Sequence, residues 1–239
     1  GVQFNLWDVE SREYLKRLDK NWEEWKGNLP GGRMDAAEWK TGGVRPANFP
    51  LRRMAGISQL LASLPGGGPG SMVLDLGHAL KKCKDKKQLR ASIREFEKGL
   101  VQDGVGYWAR HLLPGSGFRE KVPALIGPSL ARTLTLNIAL PVLLCAAQPT
   151  AQPSAESAGD DALTKAVLDA YETFPALDIH QITKLMAYRI WGDHDAGVPA
   201  KREIYQQGLL QIFFDFCDGN IKDCSACAFP EMIRLHKTS

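Results

Sequence analysis

The residues best suited to chemistry are three cysteines near one end of the chain, Cys217-x6-Cys224-x2-Cys227. A Cys-x2-Cys turn lets two thiolates converge on one ion. A third thiolate from the preceding helix end would bring three of the four ligands that tetrahedral zinc or an iron–sulfur cluster demands.

The fourth ligand is left open by the spacing. An iron–sulfur class of helical DNA glycosylases would carry a further cysteine five residues on, where Ile233 stands here; His236, Cys83, Cys145 or a residue outside the chain are the alternatives. No general base lies nearby, so a bound metal would be a closed structural staple rather than a catalytic centre. The competing reading is three ordinary thiols that happen to be close in sequence.

Two basic groups come next. Lys81, Lys82, Lys84, Lys86, Lys87 and Arg90, continued by Arg94 and Lys98, face only Asp85, Glu95 and Glu97. Such a run on a helix and its lead-in can contact phosphates without reading sequence, or simply be a solvated face. Arg45, Asn48, Arg52 and Arg53 surround the start of a helix at Arg45-Pro46-Ala47-Asn48-Phe49-Pro50. Guanidinium groups and free helix amides both favour an anion there, with capping and packing as the plainer role.

Asn137, Gln206 and Gln207 are polar residues in apolar helices and form a weaker candidate pocket. The five histidines show no HExxH or similar pairing, so catalysis is assigned to none, and no catalytic activity is expected in this chain alone.

Helices must position all of these. Tyr14, Leu15, Leu18, Trp22 and Trp25 recur at helical spacing, as do Leu51, Met54, Ile57, Leu61 and Leu64 after a cap at Asn48. Pro65 to Gly70 reads as a flexible connection. Val73, Leu76 and Leu80 predict one further helix, and Leu89, Ile93, Phe96 and Leu100 another starting near Asp85.

The apolar run Leu134 to Ala147, itself too short to span a membrane, reads as part of a buried helix opened by Gly127-Pro128-Ser129 and kinked at Pro141. Asp160 and Asp161 cap a helix bearing Leu163, Val167, Tyr171 and Phe174. A short helix with Ile182, Leu185, Met186 and Ile190 inward ends near Gly192. A last one, from about Ala200 to Cys217, carries Ile204, Tyr205, Leu209, Ile212, Phe213 and Phe216, with Gly208 permitting a close helix approach.

No period-two alternation is evident, so the fold class is all-α: a multi-helix, bundle-like domain with a cysteine-bearing C-terminal loop. Residues 1–147 form an N-terminal helical part, 148–159 a linker or exposed loop and 160–239 a C-terminal helical part, packed as one domain.

With 44% apolar residues and a net charge of +3, the chain is globular and its charge alone selects no partner. An odd count of five cysteines points to a reducing, cytoplasmic setting without a membrane partner. The start at Gly1-Val2-Gln3-Phe4 predicts a piece of a longer protein.

Arg45 to Pro50, Ile126-Gly127, Leu136-Asn137-Ile138-Ala139-Leu140-Pro141, Gln207-Gly208-Leu209 and the terminal cysteines together resemble the C-terminal half of a bacterial family, domain of unknown function 2851, over about residues 10 to 230. The resemblance implies a missing N-terminal half with acidic and Glu-x-His patterns similar to restriction-endonuclease-like nucleases. The expected role is then a helical accessory domain to that half, contacting DNA or RNA. The alternative is a non-enzymatic protein-interaction module.

Overall fold

The computed structural model describes residues 8–28, 38, 43–64, 66, 68–148, 159–179, 181–195, 202–218 and 227–232. Among these the structure is all helical: α1 (Val9–Trp25), α2 (Pro50–Ser63), α3 (Gly68–Lys81), α4 (Lys86–Leu100), α5 (Pro128–Leu134), α6 (Leu140–Ala147), α7 (Asp161–Thr173), α8 (Gln181–Asp195) and α9 (Glu203–Ile212). Among the described residues, β-type pairing is limited to isolated bridges such as Gln102 with Ile126. Two compact units result, residues 1–72 with 96–131 and residues 73–95 with 132–239.

In the first unit, α1 begins at Asp8, whose carboxylate accepts the Ser11 amide at 2.7 Å. A side-chain acceptor at this position satisfies one of the helix's unpaired amides. The helix buries Ser11 but leaves Trp22 and Trp25 41% and 62% exposed, so its expected tryptophan face is not closed over.

α2 departs from expectation in a related way. Phe49, not Asn48, holds its cap position, because Pro46–Asn48 forms a separate 3-10 turn. The Asn48 side-chain oxygen accepts from Arg53 instead, at 2.6 Å. Arg52 and Gly56 are buried, while Met54, Ile57 and Leu61 face solvent. Gly56 explains the inversion: a Cβ there would meet Leu125 and Ile126 at 3.1 to 3.3 Å, so the glycine side of α2 makes the close approach.

α3 opens at Gly68, inside the stretch expected to be a flexible connection, and belongs to the second unit from Val73 onward. Leu76, Gly77 and Leu80 are buried, and a Cβ on Gly77 would lie 2.8 Å from Leu143 and 3.2 Å from Leu163. α4 starts as its sequence predicts. Asp85 accepts the Gln88 amide at 2.8 Å and the Gln88 side chain accepts the Lys84 amide at 2.7 Å, a reciprocal capping arrangement.

The apolar helix is widened ahead of Pro141 by a π turn, Thr135–Ala139, closed by the Leu140 amide on the Thr135 carbonyl. Pro141 has no amide hydrogen and its ring crowds the carbonyl four residues back; a π turn at that point accommodates both. Leu136, Leu140 and Leu143 are buried, as expected. With α5 attached, Pro128–Ala146 is 19 residues of continuous helix, opening at Pro128 as its sequence predicts and, by length and composition, long and apolar enough to cross a membrane.

Asp160 caps α7 through the Leu163 amide, as predicted. α8 is interrupted at Gly192, whose φ of 69° lies in the left-handed region that favours glycine. It buries Thr183, Met186 and Ala187, leaving Leu185 and Ile190 more exposed than their spacing implied. α9 continues into a second π turn, Phe213–Cys217. Among the described residues, nothing lies within 4 Å of where a Cβ on Gly208 would stand, so it serves no close approach between described helices.

Candidate functional site

The basic run divides into engaged lysines, Lys81 and Lys98, and a solvent-facing group. Lys81 reaches the Asp160 carboxylate at 2.8 Å and is thereby committed to holding α3 to the start of α7. Lys82, Lys84, Lys86, Lys87, Arg90 and Arg94 are exposed. Along α4, Lys87, Arg90 and Arg94 repeat at three and four residues on the side opposite buried Leu89 and Ile93. Amphipathic spacing therefore produces a cationic ridge as the complement of an apolar one.

The guanidinium groups around α2 are not gathered at one point. Arg45 and Asn48 are exposed, and Arg53 is tied to Asn48. Arg52 is buried: it donates to the main-chain oxygens of His111, at 3.0 Å, and Pro123, and lies 5.7 Å from the centre of the Trp108 ring. Burial, followed by the neighbouring Arg53, lowers its pKa. A guanidinium with this planar fork can join two carbonyls while stacking on an indole, which a lysine cannot do. Arg52 thus fastens the loop after α4, leaving Arg45, Asn48 and Arg53 as the accessible members of the expected anion site.

Cys217 closes the second π turn and is buried among Met186, Ala187, Leu209 and Phe213, its Sγ donating to the Met186 sulfur at 3.9 Å. Cys227 is half-buried, and Cys224 and His236 lie outside the described residues. Among the described residues no three His, Cys, Asp or Glu side chains converge as a metal site would require. Cys83 contacts Ser92 and the Ala79 carbonyl, and Cys145 is exposed.

Asn137 is exposed on the π turn, whereas Gln206 is buried and donates to the Leu177 oxygen at 3.3 Å. Gln207 donates to Glu203, whose other oxygen accepts the Leu177 amide at 2.7 Å. The glutamines thus secure the chain entering α8 with Glu203, a role different from that of Asn137.

The sequence did not reveal a polar cluster in the first unit. Ser11 Oγ donates to Asp8 at 2.7 Å, accepts from the Gly115 amide at 3.1 Å and lies 2.7 Å from the Tyr107 hydroxyl. Tyr107 stacks between Tyr14 and His111, each centroid 4.3 Å away, and His111 Nε2 lies 3.6 Å from Asp8. Burial would raise the Asp8 pKa, but the Ser11 bonds and the nearby imidazole bring it below the ordinary value. Burial, with the Asp8 and Glu10 carboxylates close by, raises that of Tyr107.

Ser11 resembles a nucleophile in type only. Its single proton goes to Asp8, both its lone pairs are taken, and it is fully buried. The cluster is a lock on α1. Beside it opens a groove of about 630 Å³ whose lining includes Tyr14, Trp22, Trp25, Leu51, Met54 and Trp108. Trp108 Nε1 donates to the Tyr14 hydroxyl at 2.9 Å, fixing two of these rings. The paired tryptophans of α1 were a visible signal for this groove, but their spacing equally suits a buried face.

No match was found among curated proteins or among solved structures. The profile of a family described as Protein of unknown function (DUF2851) matches residues 3–167. The match includes the Arg45–Pro50 and Ile126–Pro141 segments and ends before Gln207 and the terminal cysteines, short of the span to about residue 230 that the motifs suggested. It takes in well over half of the 239 residues. The chain belongs to this family.

Proposed function

We propose that this chain is a helical accessory part of a longer family member, corresponding to its C-terminal half, and that it grips DNA or RNA for a nuclease-like half. The observation that carries the nucleic-acid reading is the ridge of α4. Lys87, Arg90 and Arg94 stand clear of the core and, among the described residues, none is held in an ion pair. The helix is about 22 Å long at 1.5 Å per residue, enough to follow several phosphates. Lys82, Lys84 and Lys86 extend the charge at its start, and Arg45 and Arg53 offer a second contact.

Such contact releases counterions, so affinity falls as salt rises, with a log–log slope of about −0.9 for each phosphate engaged on a duplex. Fluorescence anisotropy with a labelled duplex and a labelled single strand tests the reading. Binding at low salt with a slope of about −3 is expected, flattened by Lys87→Glu with Arg90→Glu and Arg94→Glu. Absence of binding at low salt, or binding indifferent to salt, would sink it.

In the same proposal, Cys217, Cys224 and Cys227 hold zinc or an iron–sulfur cluster as a structural staple. Their spacing supports this; the sulfur contact of Cys217 with Met186 suits ordinary packed thiols.

A protein-interaction module is the second reading. Tyr188 and Trp191 on α8 and Tyr205 and Phe214 on and after α9 expose large apolar rings in the second unit. Exposed aromatic groups of this kind favour protein contacts. A protein that binds no nucleic acid at low salt, yet self-associates or captures its family's other half, would favour that reading.

A further inference from the structure

We propose that the groove of the first unit takes an unpaired nucleobase, so that single-stranded nucleic acid is held by its bases as well as its phosphates. This rests on the nucleic-acid reading above.

Three properties of the groove point to a base. The first is its aromatic wall. Trp22 and Trp25 stand one helical turn apart and remain substantially open to solvent, while Tyr14 and Trp108 are already immobilised. Tyr14 is held by its stack on Tyr107, whose rings are within 5° of parallel, and Trp108 by its bond to the Tyr14 hydroxyl. The exposed rings of Trp22 and Trp25 beside this fixed wall are what base stacking uses, and such stacking tolerates any base because every base has a π face.

The second is charge. Among the described residues that line the groove, Asp19 is the single carboxylate and none is a lysine or arginine. A phosphate inside would meet repulsion without compensation, whereas a neutral base would not. A cation sits just outside: the exposed Arg17 guanidinium lies 6.0 Å from the centre of the Tyr14 ring. A base inside with its phosphate toward Arg17 matches this order of charges.

The third is the polar equipment. Asn21, Ser58 and Gln59 also line the groove. Gln59 has both amide hydrogens engaged, on Gln102 at 3.2 Å and on the Asp103 carbonyl at 2.6 Å. Its side-chain oxygen is left as an acceptor. With the Asp19 carboxylate and the Asn21 amide, it supplies the hydrogen-bonding partners that a base edge needs.

The test compares a single-stranded oligonucleotide with an abasic strand of equal length, which keeps the phosphates and lacks the bases. The full chain is expected to bind the base-bearing strand about tenfold more tightly, and Trp25→Ala to abolish that preference while leaving abasic binding unchanged. Trp25 is exposed, so the fold should survive its loss, and Trp25→Phe should restore part of the preference. Glu substitutions at Lys87 and Arg90 should weaken both strands alike.

Equal affinity for the two strands, or equal weakening of both by Trp25→Ala, overturns the groove proposal. If neither strand binds, the nucleic-acid reading fails, and saturation-transfer NMR with adenosine decides on the groove separately. Transfer to the adenine ring protons that disappears in Trp25→Ala sustains it; no transfer overturns it.

Discussion

The hydroxyl oxygens of Ser11 and Tyr107 lie 2.7 Å apart in a buried setting, although 96 positions separate them in the chain. This bond and the Gly115 amide join the start of α1 to the loop between α4 and α5. Ser11→Ala leaves the Tyr107 hydroxyl and the Gly115 amide short of a partner. Leaving a buried polar group unpaired costs about 1–3 kcal/mol. Urea unfolding should show a loss of that size, and an unchanged midpoint would show that the lock contributes nothing.

Asp8 gives this region a pH dependence. Its folded pKa is depressed, so its contribution to stability is fully present above the unfolded value, about 3.9, and is lost as pH falls through the lower folded value. Asp8→Asn should therefore be less stable than wild type at pH 7. The difference should shrink below about pH 4 as the wild-type carboxyl protonates. Thermal melts at about pH 7 and about pH 3 measure this, and a constant difference would contradict it.

Two glycines should respond oppositely to alanine. At Gly77 the added methyl would meet Leu143 at 2.8 Å, and overpacking of this kind typically costs about 1–3 kcal/mol. A Cβ on Gly208 would meet none of the described residues within 4 Å, so Gly208→Ala should gain up to about 1 kcal/mol from helix propensity. Calorimetric melting of both variants supplies the check.

Arg52→Lys keeps the charge but loses the fork that joins the His111 and Pro123 oxygens. A destabilisation of about 2 kcal/mol or more is expected, since a buried carbonyl loses its donor. Arg53→Lys, at a more exposed site, should change stability little. Parallel urea titrations compare the two, and equal effects would refute the assignment of Arg52 as the fastener.

For the cysteines, the staple proposal expects one zinc or one visible iron–sulfur chromophore per chain after purification without oxygen. Cys224→Ser should lose it. Metal analysis with an absorption spectrum decides, and an intact protein with neither would leave three ordinary thiols.

Helix existence was legible because caps and spacing are local. Asp85, Asp160 and Gly192 mark ends that the structure keeps. Which face turns inward was less legible. In α2 the aliphatic positions Met54, Ile57 and Leu61 point outward because Gly56 lets Leu125 and Ile126 come closer than a side chain would allow. Arg52 follows Gly56 inward, and nothing local announces that its partners are carbonyls 59 and 71 positions away. The basic ridge was readable because it lies within a single helix. The Asp8, Ser11, Tyr107 and His111 cluster was not, since it depends on tertiary pairing.

The π turn at Thr135–Ala139 has a meaning for how this chain tolerates change in length. Relative to a regular helix it accommodates one surplus residue, worth about 100° of rotation. In strict α register Thr135 would fall out of line with Leu140, Leu143 and Ala147; the surplus returns all four to the inward side. Removing a single residue there would straighten the helix and still keep Leu140, Leu143 and Ala147 inward, because four residues of α-helix carry the chain from Thr135 to Leu140 in the phase that five do here; removing one a turn away, outside the π turn, would not. At this point in the chain, the irregular helix is the one in phase with its surroundings.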